Sequence, residues 1–228
     1  MSVSKCFVVL FATLVSLSLH SQVIPEPNYG LKSHETLVIE KTELRRDATI
    51  ISFSIENRID SGAFCVDRRT YLIDQAGNRH RMTRATGVPL CPANYNFKTQ
   101  GEKLTFQLSF PPLQGEHVCI NIVEECAAHC FSFFGVVLYE YINSRFDEAF
   151  SMAERGEKAK ALNKFIDVSE AVSDYSSLKA LAYYNIVRLA SELGDTPKAE
   201  EWYKKLALLN KRDGKIYTDQ LNLQGMAY

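Results

Sequence analysis

The apolar residues of this chain change period once, at Tyr139, and that change limits what the chain can fold into. Upstream, apolar and polar residues alternate: Leu104, Phe106, Leu108 and Phe110 are separated by Thr105, Gln107 and Ser109, and Ile51, Phe53 and Ile55 by Ser52 and Ser54. Side chains on a strand point to opposite faces with period two, so each such segment carries one apolar and one polar face. Downstream, Ile142, Phe146, Ala149, Phe150 and Met152 recur at three- and four-residue steps, the spacing of a helix with one buried stripe. Strands first and helices second make an α+β, two-domain chain.

The β half contains seven short candidate strands, over residues 35–44, 48–57, 64–74, 79–85, 104–110, 118–123 and 131–138. Turn signals separate them: Arg45-Arg46-Asp47, Asp60-Ser61-Gly62, Gln75-Ala76-Gly77-Asn78, Pro111-Pro112 and Gly115. Residues 87–98 hold two prolines and two asparagines and read as an irregular loop anchored by Leu90, Tyr95 and Phe97. Short strands with turns at this spacing predict a two-sheet antiparallel, immunoglobulin-like β-sandwich over residues 35–138. Residues 22–34 read as an extended leader.

At the front, Lys5 precedes an apolar run over residues 6–19, shorter than the roughly 20 residues a membrane-spanning helix needs. Ser21 offers a small residue for cleavage, so residues 1–21 are expected to be a targeting segment removed before Gln22. The protein is then expected in the periplasm, the cell envelope or outside the cell, with no stable membrane span. Losing Lys5 takes the formal charge from −1 to −2. Neither sign dominates, which argues against nucleic acid as a partner, since that needs a clustered basic surface.

The cysteines beyond the leader are Cys65, Cys91, Cys119, Cys126 and Cys130, all ahead of the helices. Export makes disulfides the default. Cys65 and Cys91 flank the hairpin at loop ends and are expected to pair. Cys126 and Cys130 pair only if residues 127–129 turn tightly, because an extended strand would hold their α-carbons roughly 13 Å apart. Cys119 is left as a buried thiol outside both bridges.

Cys126-Ala127-Ala128-His129-Cys130 also has a second reading, a redox or metal site using Cys126, His129 and Cys130. No second ligand pair accompanies it, and it is neither Cys-x-x-Cys nor Cys-x-x-Cys-His, so a structural staple is the expected role. No nucleophile elbow, phosphate loop or dinucleotide glycine motif occurs. Glu124 and Glu125 are strand neighbours and face opposite ways. Arg79, Arg81 and Arg84 read as a solvated face. The sequence therefore predicts no catalysis, no cofactor and no metal. Tyr95 and Phe97 leave a carbohydrate-binding sandwich as a further alternative.

The helical half is expected as five helices, over residues 139–153, 159–172, 178–193, 197–210 and 216–226, the fourth capped by Thr196 with Pro197 at its first position. Gly156, Ala161 and Phe165 match Gly194, Ala199 and Tyr203 at the same spacing. This pattern resembles the tetratricopeptide repeat, in which the glycine turns the helix pair, the alanine permits close approach and the aromatic fills the groove. The copies lie 38 positions apart, Gly156 to Gly194, against about 34 in the family, and Lys211 stands where a closing proline is usual. The resemblance implies a repeat domain over residues 139–228 whose stacked helices bind a peptide or a partner protein. Tyr183, Tyr184 and Trp202 are expected to anchor that partner. Two copies make a shallow groove, and the alternative is that the helices and these aromatics pack on the sandwich.

The front half, including TYLIDQAGNRHRMTRATGVPLCP and EECAAHCFSFFGV, resembles exported bacterial envelope proteins of unassigned function with a β-sandwich ahead of a few repeat helices. That resemblance implies one mature protein containing both halves. The expected function is non-catalytic binding of a partner in the cell envelope.

Overall fold

The computed structural model describes residues 22–113, 117–127, 129–172, 175–209 and 213–228. The expected targeting segment lies outside them, as do Gly115, Asp174 and the expected end of the fourth helix at Asn210. Among the described residues the strands are β1 (Gln22–Pro25), β2 (Leu31–Lys32), β3 (Leu37–Leu44), β4 (Thr49–Glu56), β5 (Ala63–Phe64), β6 (Thr70–Asp74), β7 (Arg79–Arg81), β8 (Arg84–Thr86), β9 (Tyr95–Asn96), β10 (Lys103–Phe110), β11 (Cys119–Glu124) and β12 (Ser132–Val137). The helices are α1 (Glu140–Glu154), α2 (Lys158–Ala171), α3 (Ser176–Glu192), α4 (Thr196–Ala207) and α5 (Asp213–Leu223).

Two five-stranded antiparallel sheets form, β1-β3-β4-β10-β8 and β2-β12-β11-β6-β7, with β5 and β9 as a separate pair. The register explains the first. Leu104, Phe106 and Leu108 of β10 stand opposite Ile55, Phe53 and Ile51 of β4, so both apolar sets share one face. Phe53 and Phe106 stack with centroids 5.1 Å apart. Phe131 and Phe133 from the second sheet meet Phe53 at 6.1 and 6.0 Å, so aromatic rings fill the layer between the sheets.

In the second sheet, β11 and the end of β12 are buried on both faces. Ile120 and Ile122 of β11 point into the layer between the sheets, while Cys119 and Val137 join Phe146, Leu181 and Tyr217 in a second core. The helices therefore cover the outer face of that sheet at β12 and the start of β11. Val118, expected on the face of Ile120 and Ile122, lies in the helix-side core instead; it precedes β11, where strand alternation does not yet hold. Tyr217 of α5, 2% exposed, closes the joint. Its hydroxyl lies where Gly30 and Gly135 carry no side chain: a Cβ there would sit 1.9 and 2.6 Å from it.

Residues 22–34, expected as an extended leader ahead of the sandwich, are part of its sheets. β1 pairs with β3 and β2 with β12, so the segment adds an edge to each sheet. Between them, Asn28 donates its backbone N–H to Asn143 Oδ1 at 2.7 Å and its Nδ2 to Asp147 Oδ1 at 2.7 Å, fastening the segment to α1. The return strand expected over 79–85 is also two strands. β7 pairs with β6 and β8 with β10, and the chain changes sheet around the buried Met82.

The helices fall close to their expected bounds. Asp195, not Thr196, caps α4 by accepting the Lys198 N–H at 3.2 Å, and Thr196 and Pro197 open the helix. The cap sits one residue early because a carboxylate there already satisfies the orphan amide. α1 and α3 end alike. Glu157 N–H reaches Met152 O at 2.9 Å and Gly156 N–H reaches Ala153 O at 2.9 Å; Asp195 N–H reaches Ala190 O at 2.9 Å and Gly194 N–H reaches Ser191 O at 3.0 Å. Both glycines take the left-handed conformation these endings require, with φ of +78° and +76°.

Candidate functional site

The aromatic residues expected to anchor a partner are mostly interior. Tyr184 is 3% exposed and packs on Tyr217, with centroids 5.4 Å apart. Trp202 is 9% exposed, meets the half-buried Tyr183 edge-on at 5.0 Å, and carries the Lys205 ammonium 3.8 Å above its ring. Tyr184 and Trp202 are therefore core residues. α3 packs against α2, α4, α5 and β12, and of its two aromatic residues Tyr184 is buried and Tyr183 half-buried. Of the repeat-signature residues, Ala161, Phe165 and Ala199 are buried, and Tyr203 is half-buried with its hydroxyl on Asn222 Oδ1 at 2.7 Å. Tyr95 and Phe97 form no exposed platform: Phe97 is buried, and Tyr95 donates its hydroxyl to Glu102 at 2.6 Å.

The open concave surface lies elsewhere. A depression of about 590 Å³ runs between the 26–30 segment, the outward residues Val38 and Glu40 of β3, and Phe150 and Glu154 of α1. A second, of about 280 Å³, continues from the same Phe150 and Glu154 to Asn185, Arg188 and Glu192 of α3. The first is the groove along the seam between sheets and helices; the second adjoins it at Phe150 and Glu154 and is lined by helix residues. The Asn28 clamp to α1 builds one wall. Tyr29, Val38 and Phe150 supply apolar surface. At the sheet end Glu26, Glu40 and Glu154 face the groove, and among the described residues no lysine or arginine lines it there. At the helix end Lys158 and Arg188 are tied to Glu192 at 2.9 and 3.5 Å. The hydrogen bond from Lys158 is the main reason the Glu192 carboxyl lies below its ordinary range.

Two disulfides lie in the β half. Cys65–Cys91 joins the end of β5 to the loop after β8, with α-carbons 5.2 Å apart. Cys126–Cys130 closes the turn between β11 and β12, with α-carbons 5.5 Å apart, and Cys119 is in neither bridge. His129 makes that reversal with φ of +60°, a left-handed conformation rare outside glycine. Its side chain is exposed. The group beside the sulfurs is Glu124, 7% exposed, with one carboxylate oxygen within 4.8 Å of both Sγ atoms. Its Oε1 accepts the Asp67 N–H at 2.7 Å and its Oε2 the Phe131 N–H at 3.1 Å. Burial pushes the Glu124 carboxyl above its ordinary range, although both amides pull the other way. Cys126 N–H donates to Cys130 Sγ at 3.0 Å. Glu125 faces outward and pairs with Arg79 at 2.5 Å.

Sequence reasoning noted Glu124 only as facing away from Glu125 and missed its place beside the sulfurs; it also missed Val38, Glu40, Phe150 and Glu154. For Glu124 the signal was present: it follows Ile120 and Ile122 at period two and so shares their inward face. The groove had no local signal, because its walls come from segments more than a hundred residues apart.

Among the described residues, two large sheets followed by five helices, stapled by two disulfides, define an α+β protein suited to a non-reducing environment. Among the described residues, no helix is long and apolar enough to cross a membrane. No protein-family model and no curated protein matches the chain. Among solved structures it is similar to the crystal structure of the yjhA protein from Bacillus subtilis, at 16% identity, with 42% of this chain and 78% of that chain covered and a TM-score of 0.30. At that score the likeness carries no argument about fold or function.

Proposed function

We propose that this is an exported, non-catalytic binding protein of the cell envelope, which holds an extended segment of a partner protein in the seam groove. The observation that carries the reading is that two depressions adjoin at Phe150 and Glu154, the larger lined by the apolar Tyr29, Val38 and Phe150 and by the acidic Glu26, Glu40 and Glu154. An extended peptide with an apolar side chain for Phe150 and a lysine or arginine for the Glu26, Glu40 and Glu154 end fits that chemistry.

The architecture supports the same reading. We read the order β3-β4-β10-β8 facing β12-β11-β6-β7 as the A-B-E-D and G-F-C-C′ sheets of an immunoglobulin-like sandwich. It departs from antibody domains in having no disulfide between the B and F strands. The matched endings of α1 and α3, and the buried Ala161 and Ala199 after them, support a tetratricopeptide-like pair of repeats. The likeness weakens at the aromatic position, where Phe165 is buried and Tyr203 only half so.

The test is a photo-reactive amino acid placed at Val38 or Glu154 in the groove and, as controls, at the exposed Lys160 of α2 and Glu201 of α4. The expected result is one partner captured from both groove positions and from neither control. That partner should be lost when Glu26, Glu40 and Glu154 are replaced by glutamine. Equal capture at all four positions, or none in the groove, overturns the reading.

A further inference from the structure

We propose that Cys126, Cys130 and Glu124 form a redox-gated zinc site. With the bridge closed the cysteines are a staple; with the bridge opened by a dithiol, the two thiolates and the carboxylate take one Zn²⁺. The inference rests on the juxtaposition at the end of β11, where a buried carboxylate oxygen and two sulfurs from a four-residue spacing lie within 4.8 Å of one another.

The donor set suits the ion. Two thiolates and one carboxylate are a mixed sulfur and oxygen set that zinc accepts and magnesium or calcium does not. Three protein ligands leave the fourth tetrahedral position to water. Glu124 is already aimed. An ionised carboxylate has about four acceptor sites. The Asp67 and Phe131 amides use one on each oxygen, so each oxygen retains a lone pair while the amides fix the group. Tetrahedral zinc with sulfurs at about 2.3 Å needs them roughly 3.7 Å apart. Once the bridge is opened the sulfurs have to separate to that distance, and Ala127 and His129 beside them are exposed. His129, the ligand the sequence pointed to, is outside the cluster.

The gating chemistry balances. A thiolate of an external dithiol attacks Cys126 Sγ, and the sulfur–sulfur bond breaks with its electron pair on Cys130 Sγ. That thiolate is held by the Cys126 N–H, which already donates to it at 3.0 Å. The second thiol of the reductant then attacks the mixed disulfide, releasing Cys126. The reductant leaves as its own disulfide and the protein as two thiols. Zinc binding next releases both thiol protons to solvent.

The experiment uses the full mature chain, oxidised or reduced and desalted under argon, titrated with Co²⁺ as a spectroscopic probe and then with Zn²⁺. The expected result is one equivalent bound by the reduced protein, with a thiolate-to-cobalt absorption band displaced by zinc, and no such band from the oxidised protein. Cys126→Ser/Cys130→Ser keeps Cys65, Cys91 and Cys119 and should lose the band, so those thiols are controlled for. Glu124→Gln should bind at least about tenfold more weakly. If reduced wild type binds no more tightly than the serine pair, or Glu124→Gln binds as wild type does, the three-ligand site is wrong. Should Glu124→Gln not fold, stoichiometry and the serine pair, which leave Glu124 untouched, decide the question.

Discussion

The joint between sheets and helices rests on Tyr217, and Gly30→Ala tests it. Gly30 does not need glycine for its backbone, since its φ is not in the left-handed range. What it needs is space: an added Cβ meets the Tyr217 hydroxyl at 1.9 Å and its ring carbons at 2.6 and 2.7 Å. Ordinary contact starts near 3.4 Å, so α5 or the 28–31 segment has to retreat by about 1.5 Å, an overpacking that costs about 2 kcal/mol. The partner variants sharpen the expectation. Tyr217→Phe gives up little by itself, because the hydroxyl reaches Phe134 O only at 3.5 Å. It should leave most of the Gly30→Ala cost in place, since the ring carbons still collide. Tyr217→Ala costs about 3–5 kcal/mol through its cavity, and in that background Gly30→Ala should cost under about 0.5 kcal/mol. Urea unfolding followed by fluorescence and by circular dichroism measures all six proteins. The shared second core predicts coincident transitions by both probes. A Gly30→Ala cost that is equal in all three backgrounds would refute the packing argument.

Two further outcomes follow from particular groups. The Cys65–Cys91 bridge spans 26 residues and Cys126–Cys130 spans four, so on chain entropy their removal should cost about 3.5 and about 2 kcal/mol respectively, an order that urea midpoints of the two double-serine variants will check. Burial alone pushes the Asp74 carboxyl up, but hydrogen bonds from Asn78 and His80 outweigh it and hold it at about 2, below its ordinary 3.8. That stabilisation, about 1 kcal/mol after solvent screening, is complete above about pH 4 and is lost as pH falls through 2; Asp74→Asn should remove this step from the acid limb of the stability curve.

The parts of the fold legible in the sequence are those with a local period. β4 and β10 follow from strict alternation, and the five helices from their apolar stripes and glycine breaks. What escaped was decided by distant partners. Val23 and Ile24 are too few to show a period, and β1 exists because β3 offers it an edge. The split into β7 and β8 is invisible because alternation runs on through the change of sheet. The burial of Tyr184 and Trp202 was half visible. The stretch Leu178–Ala190 is apolar nearly all round, the composition of a central helix rather than a surface one. Reading the tyrosines as surplus to a two-repeat core left out the sheet, which supplies the rest of that core. For the candidate site, the disulfide turn was legible from spacing and the carboxylate beside it only from strand parity.

The two-faced burial of β11 and β12 explains why the strip left open lies at the seam, where we propose that a partner binds. A sheet covered on one side only would alternate apolar and polar, yet Cys119, Ile120, Asn121 and Ile122 are all buried. Two helix pairs, in turn, are fewer than the three or so repeats needed to bury a continuous core by stacking alone. Each half is therefore incomplete, and each provides the cover the other lacks: α1 and α3 lie on β12, and Tyr217 fills the space above Gly30 and Gly135. This joining occupies part of the inner surface that stacked repeats would otherwise present. What remains open is the strip where α1 leaves the sheet and the 26–30 segment crosses it, with Phe150 at its centre and Glu154 beside it. A ligand there touches both halves at once, so its binding would favour the joined state over any opening of the Tyr217 joint, by mass action on the form that holds it.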